Sequence, residues 1–204
     1  MRRIAKITVS LVTMSTLASG ALLLPASAAT AAAPVVPNLK LPAGWVVQTA
    51  PSESVPRPTQ MCVLGTPCTS KSWTLGNNFE NGLVFTTAGR AKDAKARAQN
   101  VRASDVAVFA QNGNTSLQWR KLKKSKGSQA WVAELSTSSS LIRLAVVLAG
   151  KNLAYGFAGG PRTVAPHLIS NSQLASSLRK VVTSKQKLTK LTGPSLGLLA
   201  IVTH

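Results

Sequence analysis

Negative charge is what this sequence lacks most: five Asp and Glu stand against 24 Lys and Arg, a formal net charge of +19. Glu53, Glu80, Asp93, Asp105 and Glu134 are scattered singly along the chain. No local carboxylate pair therefore supports general acid–base hydrolysis. Histidine is scarcer still, with His167 and His204 alone, and the only two cysteines, Cys62 and Cys68, have no other soft ligand beside them. That inventory gives no metal-ligand pattern, and no cofactor is expected. After the first two dozen residues no apolar run is long enough to cross a bilayer.

What is present begins with a leader. Arg2, Arg3 and Lys6 form a positive start, residues 7–24 are uncharged and mostly apolar, and Ala26-Ser27-Ala28 offers the small residues that signal peptidase accepts. Pro25 ends the apolar segment just before that site. Residues 1–28 are thus expected to be a cleaved signal peptide, making the protein secreted or otherwise extracytoplasmic, with no transmembrane segment left afterwards. No cysteine follows directly, so a lipid anchor is not indicated. Loss of Arg2, Arg3 and Lys6 leaves 21 basic residues against five acids, a charge of +16. Such an excess describes partners rather than fold. In an oxidising compartment an even cysteine count favours a disulfide, here Cys62–Cys68 across a short loop.

Residues 29–42 are rich in small residues and proline and read as a linker or arm. Residues 43–192 read as a single α+β domain and 193–204 as an apolar tail. Strands are expected at 44–50, 72–75 and 83–87, with Asn81-Gly82 as a turn between the last two. Ala94, Ala98 and Val101 recur at helical spacing over 91–101, with Lys92, Lys95, Arg97 and Arg102 directed elsewhere. Four strands at 117–122, 130–135, 141–148 and 153–157, joined by short spacers, predict an antiparallel meander. A final helix over 164–182 presents Leu174, Leu178, Val181 and Val182 on one face. The fold class expected is α+β: an antiparallel sheet with helices packed on it and a C-terminal helix.

This layout resembles the PsbP-like fold group, in particular small exported actinobacterial proteins of the LpqN type. The resemblance is carried by Leu41-Pro42-Ala43-Gly44-Trp45 at the first strand and by the basic helix after residues 83–87. Gly127-Ser128-Gln129-Ala130-Trp131 before a strand, and Leu141 to Val147 before a hairpin and closing helix, extend it. It spans about residues 41–182 and is one of order rather than of a diagnostic motif. It implies a non-enzymatic binding or accessory domain and assigns no site residues. The lipidated cysteine common in that group is absent, and the loop between Cys62 and Cys68 has no counterpart in it.

Residues 193–197 fit G-x-S-x-G, but no acid follows and only His204 remains downstream. Ser177 to Lys180 and Ser184 to Lys187 fit S-x-x-K, a spacing that a chain rich in Ser and Lys produces freely. The basic clusters carry more weight. Arg120, Lys121, Lys123, Lys124 and Lys126 put five charges into seven residues; Arg179, Lys180, Lys185, Lys187 and Lys190 form a second group, and the 92–102 helix a third. Trp119 abuts the first cluster, but it shares a strand face with Leu117, which points to burial. The residues expected to bind a polyanion are Arg120, Lys121, Lys123, Lys124, Lys126, Arg179 and Lys180. The function this implies is a non-enzymatic, envelope-associated protein. Its partner is an anionic envelope polymer, an acidic lipid surface or another protein, with nucleic acid bound only without sequence preference. The alternatives are a secreted hydrolase of unrecognised class, or a carrier of a small ligand such as a lipid.

Overall fold

A computed structural model describes residues 37–48, 63–76, 79–111, 113 and 116–195. The leader, Glu53, Cys62 and the apolar tail from 196 onward lie outside them, and with them the signal-peptide reading and the Cys62 half of the expected disulfide.

Seven strands form one antiparallel sheet: β1 (Trp45–Val47), β2 (Thr69–Leu75), β3 (Leu83–Arg90), β4 (Arg120–Lys121), β5 (Gln129–Ser136), β6 (Ser140–Ala149) and β7 (Asn152–Pro161). Their spatial order is β1-β2-β3-β7-β6-β5-β4. Helix α1 (Ala94–Gln111) leads from β3 to the far edge, from which the chain returns as the expected meander until β7 pairs with β3. Helix α2 (Asn171–Val182) follows β7. The fold is α+β, an antiparallel sheet carrying helices and closed by a C-terminal one.

Each face of the sheet is covered. Val84, Ala88, Ala145, Val147, Ala154 and Ala158 meet Leu174, Ala175, Leu178 and Val182 of α2. On the other face Leu83, Phe85, Leu144, Val146, Leu153 and Tyr155 cluster with Ala94, Ala98 and Val101 of α1. The period-two alternation of a strand sends successive residues to opposite cores, so β3 is buried at every position except its last, Arg90. Gly156 of β7 lies directly under α2, where an added Cβ would fall 2.8 Å from Leu174 Cδ1 and 3.1 Å from Leu178 Cδ1. Gly156→Ala is therefore expected to destabilise by about 1–3 kcal/mol through overpacking, read as a lower urea midpoint at unchanged slope.

Several elements depart from the sequence reading. The expected strand at 117–122 contracts to Arg120–Lys121, because Leu117 turns into the α1-side core and the Trp119 indole N–H donates to Arg102 O at 3.1 Å. The expected helix over 164–182 is two elements. Pro166 sits in a 3-10 turn, Arg162–His167, and Leu168 is extended. Helix α2 then starts afresh at Ser170, whose hydroxyl and Gln173 form a capping box. The presumed linker contributes to the domain: Leu39 is buried against the α2-side core and the Thr86 hydroxyl donates to Pro37 O at 3.1 Å.

Candidate anion-binding face

Basic residues far apart in sequence meet at one end of the sheet. β3 ends there with Arg90, which pairs with Asn152 across β7, and the β6–β7 hairpin turns through Gly150 and Lys151. Gly150 has φ +57°, a conformation that frees the turn to project Lys151 outward. After α2 the chain wraps over this same end. Leu188 packs into the α2-side core and Leu191 into the α1-side core, while Arg90 N–H donates to Thr189 O at 2.7 Å and Leu191 N–H to Arg90 O at 2.8 Å. These two anchors leave Lys187 and Lys190 exposed beside Arg90.

Three adjoining hollows result. The first, about 460 Å³, is lined by Arg90, Lys92, Lys151, Lys187 and Lys190 over a floor of Ala91, Leu188 and Leu191. The second, about 430 Å³, shares Arg90, Lys151, Lys187 and Leu188 and adds Lys185, Asn152, Ser184 and Gln186. The third, about 380 Å³, shares Ser184 and Gln186 and brings in Lys40, Ser177 and Lys180. Among the described residues Asp93 is the sole acid lining the three hollows. Its carboxylate accepts from Arg97 Nε at 2.9 Å, and this bond holds its pKa below the ordinary carboxylate value. The charge of Asp93 is thereby committed to Arg97. Cations sharing walls of one hollow stand within about a Debye length, so their fields add at physiological salt.

The residues named from sequence fall into three situations. Arg120 and Lys121 are exposed on the edge strand β4, and Lys123, Lys124 and Lys126 are exposed on the turn into β5. That turn lies at the same end of the sheet as the β6–β7 hairpin, since Gln129 opens β5 opposite Leu148. Two to three strand spacings, about 10–15 Å, separate it from Lys151. Arg179 is half-buried and donates from Nη2 to Lys123 O at 2.7 Å, so its guanidinium clips α2 to the turn rather than standing free for a ligand. Lys180 is exposed and belongs to the third hollow. Arg90 and Lys151 join them from outside the basic clusters: Lys151 is a lone cation in its stretch, Arg90 ends a strand just ahead of Lys92, and only the sheet register and the hairpin bring the two together.

Other features highlighted by the sequence are structural. Arg97, expected to face away from the core, is instead 9 % exposed, its Nη1 donating to Leu64 O at 2.8 Å. Arg102 lays its guanidinium over the Trp131 ring at 4.2 Å, so both Trp119 and Trp131 are engaged within the fold. His167 is exposed at the end of the 3-10 turn, where its backbone oxygen accepts from Trp45 Nε1 at 2.9 Å. Lys180 of the S-x-x-K spacing lies in solvent, not in the desolvated setting that a lysine base needs. Ser195 of the G-x-S-x-G stretch follows β-bridged and bent chain, not the strand that leads into a nucleophile elbow.

A buried polar group occupies the α1 side of the sheet. Ser70, Thr87 and Tyr155 stand opposite one another across β2, β3 and β7, with Asp105 of α1 close to the phenol. Burial, and then the Asp105 carboxylate, push the Tyr155 pKa well above the ordinary phenol value. Comparison with known proteins yields no match: no family fits the sequence, and no curated protein or solved structure is significantly similar.

Proposed function

We propose that this protein is exported and acts without catalysis, binding anionic cell-envelope material through the cationic end of its sheet. The observation that carries this reading is the convergence of Arg90, Lys92, Lys151, Lys185, Lys187 and Lys190 on adjoining hollows that, among the described residues, hold a single, already committed acid. The signal-peptide pattern of residues 1–28 supports a location outside the membrane, where wall polymers and acidic headgroups are the abundant polyanions. The likeness in layout to the PsbP-like group agrees with a binding or accessory domain. Lys121, Lys123, Lys124 and Lys126 widen the surface toward the β4 edge.

Residues 29–204 are expected to bind an anionic wall polymer in a salt-dependent manner. Replacing Lys121, Lys123, Lys124 and Lys126 together by Gln should weaken binding of a long polymer and flatten the plot of log affinity against log salt. The expected change is roughly 0.7–0.9 for each contact removed. Unchanged affinity and slope would remove these four lysines from the surface. Failure of every polyanion to bind would end the proposed function.

A further inference from the structure

The two central hollows differ in lining although they share a wall. Arg90, Lys151, Lys187 and Leu188 border both; beyond them one hollow is floored by Ala91 and Leu191, and the other is edged by Asn152, Ser184 and Gln186. A ligand crossing that wall meets Lys92 and Lys190 on one side and Lys185 on the other, with the three shared cations between. We propose that these hollows form a two-subsite groove for a base-free phosphate chain, in which successive phosphates of one strand share Arg90, Lys151 and Lys187. The inference rests on the polyanion reading and names its ligand class.

Three observations select this occupant. A guanidinium amid several ammonium groups suits phosphate, whose oxygens accept from Arg in bidentate fashion and from Lys as a point charge. A bilayer surface is disfavoured by where the exposed apolar side chains lie. Among the described residues Val46 and Val47 are on β1 and Val106 is on α1, none of them lining the groove, whereas interfacial binding pairs basic residues with adjacent apolar ones that insert. Single-stranded nucleic acid is disfavoured because, among the described residues, no aromatic one lines either hollow, so bases would find no stacking platform there.

The test compares orthophosphate, tripolyphosphate and a long inorganic polyphosphate by calorimetry at fixed ionic strength. It uses the wild type, the groove variant Arg90→Gln/Lys151→Gln/Lys187→Gln, and the charge-matched turn variant Lys123→Gln/Lys124→Gln/Lys126→Gln. All substituted side chains are exposed, and thermal unfolding is the check that both variants fold. Tripolyphosphate is expected to bind the wild type at least about tenfold more tightly than orthophosphate. The groove variant should lose that gain, while the turn variant keeps it to within about twofold and weakens only on the long chain. Vesicles of phosphatidylglycerol and a thymidine oligonucleotide should bind more weakly than polyphosphate of equal charge. Equal losses in the two variants, or no preference for tripolyphosphate over orthophosphate, would overturn the groove while leaving the general polyanion reading intact. A preference for vesicles or the oligonucleotide would overturn the choice of ligand, and absence of binding to every probe would overturn both readings.

Discussion

Raising the pH past 10 should leave the native protein without a tyrosinate signal. The chain holds one tyrosine, Tyr155, so the rise in absorbance near 295 nm that accompanies phenol ionisation reports that residue alone, above a constant tryptophan background. Its ring is fully buried, its centroid 6.4 Å from that of Phe85, and burial and the Asp105 carboxylate both resist a second negative charge there. The phenol pKa is therefore higher folded than unfolded. The stability this contributes is complete below the unfolded value of about 10 and is lost as pH climbs toward the folded one. Above pH 10 the unfolding free energy should fall by about 1.4 kcal/mol per pH unit on account of this group. The Lys residues titrate in the same range, so the comparison is with Tyr155→Phe, which should lack that component of the slope. A native absorbance step near pH 10 would show that the hydroxyl reaches water and would remove this account of the α1-side core.

The second large effect is expected at Arg97. Its Nε donates to Asp93 and its Nη1 to the backbone oxygen of Leu64, a residue that is itself fully buried. The segment it holds packs closely: a Cβ on Gly65 would fall 2.7 Å from Thr192 O, and Thr192 in turn bonds to Thr66 through both its N–H and its hydroxyl. Arg97→Met keeps much of the stem but leaves Leu64 O without its donor. A buried acceptor that loses a charged donor costs roughly 2–3 kcal/mol, about 5–10 °C in Tm for a chain of this size. Arg97→Lys should recover little, because one ammonium cannot reach along both directions of the guanidinium fork. Asp93→Asn should cost much less, since Asp93 is mostly exposed and surface pairs contribute under about 1 kcal/mol. Equal losses in Arg97→Met and Asp93→Asn would mean that the ion pair, not the Leu64 bond, is what matters.

The two cases explain what a sequence reading sees. The meander was legible because alternation within a strand and short polar spacers between strands are local properties. Helix α2 is legible in its apolar face but not in its start: periodicity continues upstream past Pro166, whereas the Ser170–Gln173 capping box marks where the helix begins. Helix α1 was harder. Its inner face carries Arg97 and Asp105 among small apolar residues, so separating polar from apolar positions assigns the wrong side to Arg97.

By itself the sequence determined the α+β class, the antiparallel meander, the closing helix and an extreme positive charge, because each follows from composition or from spacing within about a dozen residues. Only the tertiary structure decided where that charge concentrates. Arg90, Lys151 and Lys187 occupy a strand end, a hairpin and a returning strap that sheet register and the burial of Leu188 and Leu191 bring side by side. The tertiary structure also turned Arg179 from an expected contact into a clip on Lys123, since the position of a helix over a sheet fixes which side chains remain free. Local pattern sets what each segment becomes, and the packing of distant segments sets which of their charges face a common ligand.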